Sequence, residues 1–146
     1  MLPRYKDIIE LMKKGSTIEA QEQIMSLREG AIELQEENIE LKARIRELEG
    51  QLKAKEEWSF EKLRYELTTP WKGPAQVYAL KKELSNEEAP HLLCTNCFQD
   101  SRKIILTPQN KDETVYMVCP SCKASLSTGY RAIGGAKYAE EYRAEA

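Results

Sequence analysis

Residues 24–52 read IMSLREG AIELQEE NIELKAR IRELEGQ L when they are divided into sevens. The first position of each seven (a) and the fourth (d) carry apolar residues with one exception. The a residues are Ile24, Ala31, Asn38, Ile45 and Leu52, and the d residues are Leu27, Leu34, Leu41 and Leu48. Apolar a and d residues in a seven-residue repeat are typical of a coiled coil, where they form the seam between helices. The stretch therefore predicts a leucine zipper.

Asn38 is the one polar residue at these core positions. Leucine at d with β-branched or small residues at a favours two parallel helices, and a lone asparagine at a fixes their register. In a parallel pair, Glu37 would face Lys42 and Arg44 would face Glu49, so both contacts attract. We expect a parallel homodimer, and further association of dimers is left open.

A second row of apolar residues lies at position b of the same repeat: Ile18, Met25, Ile32 and Ile39. A b residue faces water in a two-stranded coiled coil, so this row needs a partner. Residues 1–15 predict a short amphipathic helix that Gly15 interrupts, and a long helix then runs to about Glu57. Three partners are open for this row: the first helix folded back on it, a second dimer in a higher-order bundle, or a helix of another protein.

The repeat fails at Lys55 and Ser59, and the chain then becomes rich in aromatic residues, namely Trp58, Phe60, Tyr65, Trp71 and Tyr78. Residues 65–68 and 77–80 alternate like short strands, and the prolines and glycine between them predict a turn. We predict a small core that joins the coil to a C-terminal module. An exposed recognition groove around Trp71 is the alternative.

Four cysteines stand in two close pairs, which are Cys94 with Cys97 and Cys119 with Cys122. Two residues between thiols let a tight turn direct both sulfurs at one ion, and two such turns complete a tetrahedral shell of thiolates. Residues 103–106 and 114–118 are strand-like, with 108–112 as the predicted hairpin end. This pattern predicts a zinc ribbon with structural Zn. A redox pair would not explain two turns, and His91 is predicted to lie outside the ligand set.

The predicted fold is mainly α with a small β module. It comprises an N-terminal amphipathic helix (1–15), a leucine-zipper coiled coil (16–58), an aromatic connector with short strands (59–90), a zinc ribbon (91–133) and a C-terminal tail (134–146).

Residues 1–14 carry charges among their apolar residues, and no stretch approaches the roughly 20 apolar residues of a membrane span. Paired cysteines in a chain without an export signal indicate a reducing compartment, so we expect a cytoplasmic protein without a membrane partner. The sequence has a single histidine and lacks a phosphate-binding loop and a nucleophile elbow. We therefore predict that the protein is not an enzyme.

The order of an amphipathic helix, a Leu-rich coil, an aromatic connector and a ribbon with Cys94-x-x-Cys97 and Cys119-Pro120-x-Cys122 resembles small bacterial and prophage coiled-coil/zinc-ribbon proteins, which are largely of unknown function. The resemblance covers nearly the whole chain and implies a bacterial or phage protein connected with host–phage conflict. The chain is also similar in outline to coiled-coil zinc proteins that enter the RNA polymerase secondary channel. Those proteins use an antiparallel hairpin, whereas Asn38 predicts a parallel pair.

We expect a non-enzymatic homodimeric adaptor that presents zinc ribbons on a coiled-coil stalk to a protein partner, with contact through Trp71, Phe98 and Arg102. The alternative is a regulator that binds nucleic acid. From residue 91 to 138 six basic residues stand against three acidic ones, an excess of three. Phosphate attraction with aromatic stacking is the physics of such a surface. Its residues would be Arg102, Lys103, Lys111, Lys123, Arg131 and Lys137 with Phe98, Tyr116 and Tyr130.

Overall fold

The computed structural model describes residues 2–146 and divides the chain into two compact units, with the boundary between Leu52 and Lys53. The helices are α1 (Tyr5–Lys13), α2 (Thr17–Lys62), α3 (Thr95–Gln99) and α4 (Ala139–Ala144), with one 3-10 turn at Lys82–Leu84. The strands are β1 (Tyr65–Thr68), β2 (Val77–Leu80), β3 (Leu92–Leu93), β4 (Thr107–Lys111), β5 (Thr114–Val118) and β6 (Ser125–Ser127). Within residues 2–146, none of these helices combines the length and the apolar composition that crossing a membrane requires.

The predicted break between the first two helices is confirmed at Gly15, whose φ of +80° lies in the left-handed region that favours glycine. The long helix α2 is also confirmed, but it ends at Lys62 rather than near Glu57. The failure of the repeat ends the predicted seam without ending the helix, because residues 51–62 contain neither proline nor glycine and many good helix formers.

The N-terminal segment folds back along the start of α2. Ile8 of α1 and Ala20 of α2 are both buried. The side chain of Leu2 lies against Gly30, where an added Cβ would clash with Leu2 Cδ2. Because Ala20 is a d residue and Gly30 is a g residue of the repeat, Leu2 and the α1 helix that follows it cover the d and g side of α2.

The apolar row at position b is exposed in the chain. Ile18, Met25, Ile32 and Ile39 keep 72%, 62%, 46% and 61% of their surface accessible. The interpretation that a chain's own first helix covers this row is therefore wrong. The reason is that α1 packs on the d and g side, which a helix of 3.6 residues per turn places away from b.

The predicted zipper seam is also exposed. About half of the surface is accessible at Ile24, Leu34, Leu41, Ile45, Leu48 and Leu52, whereas Leu27, on the side that α1 covers, is less exposed. The side-chain amide of Asn38 donates to the carbonyl of Leu34 in its own helix, at 3.2 Å. A single helix cannot bury this stripe, and the coiled coil itself stays a prediction.

Two antiparallel three-stranded sheets form the C-terminal unit, in the orders β1-β2-β3 and β4-β5-β6. Three predicted strands are confirmed, with the bounds of β1, β2 and β5. The segment predicted as a strand at 103–106 forms only a single antiparallel bridge, between Ile105 and Leu93, and the partner of β5 is instead β4, at Thr107–Lys111. The hairpin end is accordingly Asp112 and Glu113, which both have positive φ, as the mirror-image turns of two-residue hairpins require. Pro108 fits β4 because β4 is an edge strand.

Two apolar clusters form the core of this unit. The first contains Val77, Ala79, Leu92, Leu106, Met117 and Ala139 together with Cys94, Cys97 and Cys119. The second contains Tyr65, Leu80, Leu93 and Phe98, with Trp58, Tyr78 and Tyr138 packed against it. Residues 134–146, predicted as a tail, contribute α4 and the buried Ala139 to this core. The hydroxyl of Tyr138 also donates to the carbonyl of Glu88, at 2.8 Å.

Candidate metal centre

Each pair of cysteines begins directly after a short strand. Cys94 follows β3 and is the N-cap of α3, which contains Cys97. Cys119 follows β5, and Cys122 lies in the turn before β6. The amide of Cys94 donates to the carbonyl of Ile104 at 3.1 Å, and the amide of Cys119 donates to that of Ala124 at 2.8 Å. Regular backbone pairing therefore fixes the first cysteine of each pair.

The four sulfur atoms form one group that can hold a metal ion, since all lie within 4.8 Å of one another. Cys94 Sγ is 3.6 Å from Cys122 Sγ, and Cys97 Sγ is 3.6 Å from Cys119 Sγ. Four thiolates around zinc at about 2.3 Å would lie about 3.8 Å apart at the corners of a tetrahedron. Both separations are therefore close to those of four thiolates in tetrahedral coordination around one metal ion.

Three of the four cysteines are buried, and Cys122 is exposed. The second turn is tight, because the amide of Lys123 donates to the carbonyl of Cys119 at 3.0 Å while Lys123 itself adopts a φ of +64°. In the same turn the amide of Cys122 donates to Cys119 Sγ, at 3.5 Å. Donors of this kind support a sulfur that carries negative charge, as a thiolate ligand does.

The protein shifts the pKa values of these thiols in opposite directions. Burial raises the pKa of Cys94 to about 12 and also raises the pKa of Cys97. Burial opposes ionisation of Cys119 as well, but the amides of Cys122 and Ser121 outweigh it and lower the pKa of Cys119 to about 6. A cation at the centre of the group would supply the charge that the buried thiolates need.

Arg102, one of the predicted contact residues, lies across the two cysteine turns. Its guanidinium donates to Ser121 Oγ at 3.0 Å and to Asp100 Oδ2 at 3.3 Å. Its amide donates to the carbonyl of Cys97 at 2.8 Å. Arg102 therefore links the first cysteine turn to the second, although half of its side chain remains exposed.

Phe98, a second predicted contact residue, is a core residue with 8% of its surface exposed. Its ring stacks on Tyr78 with 3.8 Å between centroids and meets the edge of Trp58 at 4.9 Å. It therefore offers a partner little surface. Trp71, the third, is half-buried and lines a cavity of about 570 Å³ together with Ile133.

A network of charges fixes the end of α2 to the segment before the first cysteine pair. Arg64 pairs with Glu61 at 2.8 Å and with Glu88 at 2.7 Å, and Lys103 pairs with Glu61 at 2.9 Å. Arg64 also donates to the carbonyls of Leu84 and Ser85. No local pattern in the sequence indicates this network, because 24 positions separate Arg64 from Glu88 and 42 separate Glu61 from Lys103.

The network changes the pKa values of its members. Burial alone would raise the pKa of Glu61, but hydrogen bonds from Lys103 and Arg64 lower it. The hydrogen bond from Arg64 lowers the pKa of Glu88. Burial works against the charge of Lys103, but Tyr65 and Glu61 outweigh it, so the pKa of Lys103 is raised. These shifts hold all three groups in their charged forms.

His91 lies outside the group of four sulfurs, as its predicted role requires. Its Nδ1 is 2.9 Å from the carbonyl of Ala89, and its Nε2 is 2.8 Å from the hydroxyl of Tyr65. A carbonyl only accepts, so Nδ1 carries the proton and Nε2 accepts from Tyr65. Both ring nitrogens are thus occupied by hydrogen bonds within this unit.

Most of the cations named for nucleic-acid contact are paired with acidic side chains. Arg102 pairs with Asp100, Lys103 with Glu61 and Glu88, Arg131 with Glu113, and Lys137 with Glu145. Phosphate binding would have to compete with these carboxylates, which lowers the gain from counterion release. Nucleic-acid binding stays a prediction, and these pairs weigh against it.

Neither a family model nor a curated protein nor a solved structure matches this chain. The resemblance to coiled-coil/zinc-ribbon proteins therefore stays a prediction that rests on the motifs alone.

Proposed function

We propose that this protein is a non-enzymatic zinc-binding adaptor, in which two chains pair through α2 and join two copies of a metal-holding unit. The observation that carries the proposal is the group of four sulfurs. In it, a sulfur of the first cysteine pair lies 3.6 Å from a sulfur of the second pair, twice over. Four thiolates fill the coordination shell of zinc and leave no position for a reactive water. The metal then stabilises the fold, and the protein acts by binding.

The exposed stripe of α2 supports pairing with a second copy. Its apolar residues recur at a and d over four repeats, and those from Leu34 to Leu52 keep about half of their surface exposed within residues 2–146. An apolar face of this length is costly to leave in water, and a second copy offers the same face. Asn38 at a favours the parallel, in-register arrangement.

The surface around Trp71 supports binding of a protein partner. Large aromatic side chains dominate the energetics of interfaces, whereas charges at the rim contribute little. Trp71 borders an open cavity, and Arg102 keeps half of its side chain exposed. The predicted link to host–phage conflict rests only on the motif resemblance. In this proposal, it indicates that the protein partner is to be sought among bacterial and phage proteins.

Metal analysis and sedimentation equilibrium test the proposal together on protein purified under reducing conditions. We expect one zinc ion per chain and a dimer at micromolar concentration. The Asn38→Leu variant should form a tighter assembly with a less defined oligomer number, because apolar burial is gained while amide pairing is lost. A metal-free protein would overturn the zinc assignment, and a monomer at micromolar concentration would overturn the adaptor architecture.

A further inference from the structure

The unit before Leu52 contains two apolar faces that the chain itself does not cover. One is on α1, where Tyr5 and Met12 lie seven residues apart on the same side and are 73% and 59% exposed. The other is the b row of α2, defined above, which runs from Ile18 to Ile39. Contact with its own α2 fully buries only Ile8 of α1.

The short helix α1 needs more packing than its own chain provides. It has nine residues, and isolated helices shorter than about 12 residues are marginal in water. A helix whose apolar residues cover two adjacent sides is suited to a position between two other helices. The α1 helix has this form, because Ile8 is on one side while Tyr5 and Met12 are on the next.

A parallel pair of α2 helices would place each α1 beside the partner's b row. The fold-back at Gly15 keeps α1 beside residues 17–30 of its own α2, as the contact between Leu2 and Gly30 shows. In a parallel, in-register pair, α1 therefore lies at the same level along the partner's α2, where Ile18, Met25 and Ile32 are exposed. An antiparallel pair would separate these two faces by the length of the helix.

The positions around α2 agree with this arrangement. The d and g side holds the chain's own α1, and the b position lies on the far side of a. The apolar row is confined to this half of α2, because it extends about two helical turns beyond Gly30 to Ile39 and the next b residue is Arg46. From there to Leu52, only the a and d residues are apolar, as in a two-stranded coil.

We infer that α1 of each chain packs between its own α2 and the b row of a second copy, so that the N-terminal ends of two chains form a four-helix bundle. The contact is reciprocal, as two-fold symmetry requires. This inference rests on the proposed parallel dimer and adds the occupant of the b row. The distal part of α2 continues as a two-stranded coil.

Photo-crosslinking of the full-length dimer tests the contact directly. A photoreactive phenylalanine derivative replaces Met12 in unlabelled chains, which are mixed with nitrogen-15 chains of the natural sequence before irradiation. We expect crosslinked peptides that join an unlabelled α1 to a nitrogen-15 segment containing Met25. Crosslinks from Met12 that stay within one chain, in a sample that sediments as a dimer, would overturn the inference while leaving the proposed function intact.

A matched pair of variants gives an independent readout in the same protein. Met25→Lys places a charge in the proposed contact, whereas Ser26→Lys places the same charge on the neighbouring exposed position c. We expect the dimer dissociation constant to rise about tenfold or more for Met25→Lys and less than about twofold for Ser26→Lys. Equal effects of the two variants would overturn the inference. A wild-type monomer would instead overturn the proposed function on which it rests.

Discussion

The two units of this protein differ in how completely they bury their apolar residues. In the unit after Leu52, Val77, Leu80 and Leu93 are 0% exposed, and four sulfur atoms converge among them and their neighbours. In the unit before it, Leu34 and Leu41 are 51% and 56% exposed, although they are as apolar. We propose that the unit after Leu52 needs a metal ion to complete its core and that the unit before it needs another chain. The same residue types thus acquire different roles according to what surrounds them.

Loss of one thiol should break the C-terminal unit and leave the coil intact. In the Cys97→Ser variant we expect residues 91–129 to lose their fold, because structural zinc contributes on the order of 10 kcal/mol to such a module. Near-ultraviolet circular dichroism should collapse while most of the helical signal at 222 nm persists. Ser125→Ala, at an exposed position of β6, is the control and should change neither signal. A folded ribbon in the Cys97→Ser variant would contradict the metal assignment.

Truncating one leucine in each unit should have different effects on stability. The effect in one unit should depend on protein concentration, and the effect in the other should not. Leu93→Ala removes a fully buried side chain, so we expect a loss of about 2–5 kcal/mol in the free energy of unfolding at any concentration. Leu41→Ala removes a side chain from the proposed seam and should weaken the dimer, so its effect should depend on concentration. Thermal unfolding over a hundredfold range of concentration distinguishes them. The same concentration independence for both variants would argue against pairing through α2.

The charge network predicts a defined pH dependence for the C-terminal unit. Because the folded pKa of Glu61 is lowered, its contribution is present above the unfolded value near 4.3 and is lost as the pH falls through the folded value. Glu61→Gln should cost roughly 0.5–1 kcal/mol at pH 7. The difference in melting temperature from the wild type should narrow between about pH 5 and pH 3. Release of the proposed metal by acid would affect both proteins alike. A difference in melting temperature that stays constant would contradict the role of Glu61.

Two glycines of α2 should respond differently to the same substitution. Gly50 has open space around an added Cβ, so Gly50→Ala should stabilise the helix by about 1 kcal/mol. Gly30→Ala should gain less, because its Cβ would meet the Leu2 side chain that packs there. Thermal unfolding followed at 222 nm compares the two variants. An equal gain at both positions would show that the Leu2 contact contributes little.

The sequence predicted local features well because local chemistry determines them. The break at Gly15, the long helix and the strand Thr114–Val118 follow from φ preferences and apolar periodicity. The position of β4 was missed because its exposed residues, including Pro108, carry no strand pattern. The side of α2 that α1 covers was also missed, because three apolar rows compete there and residue spacing does not rank them.

The metal centre was predictable in composition and only partly in its surroundings. Close spacing within each pair predicted that the four cysteines meet, and their sulfurs do. The roles of Phe98 and Arg102 depend on contacts with residues far along the chain, such as Trp58 and Ser121. A single sequence holds no local signal for such contacts, so an aromatic core residue was predicted to be a surface one.

The central claim is that a metal completes one unit and a second chain completes the other. Hydrogen exchange of the full-length protein, measured by mass spectrometry, tests this claim most directly. Chelation at high protein concentration should remove amide protection from residues 91–129 and leave residues 24–52 protected. Dilution of the zinc-loaded protein below the dimer dissociation constant should instead remove protection from residues 24–52 and leave residues 91–129 protected. Loss of protection in both regions under either treatment, or in neither, would contradict the account.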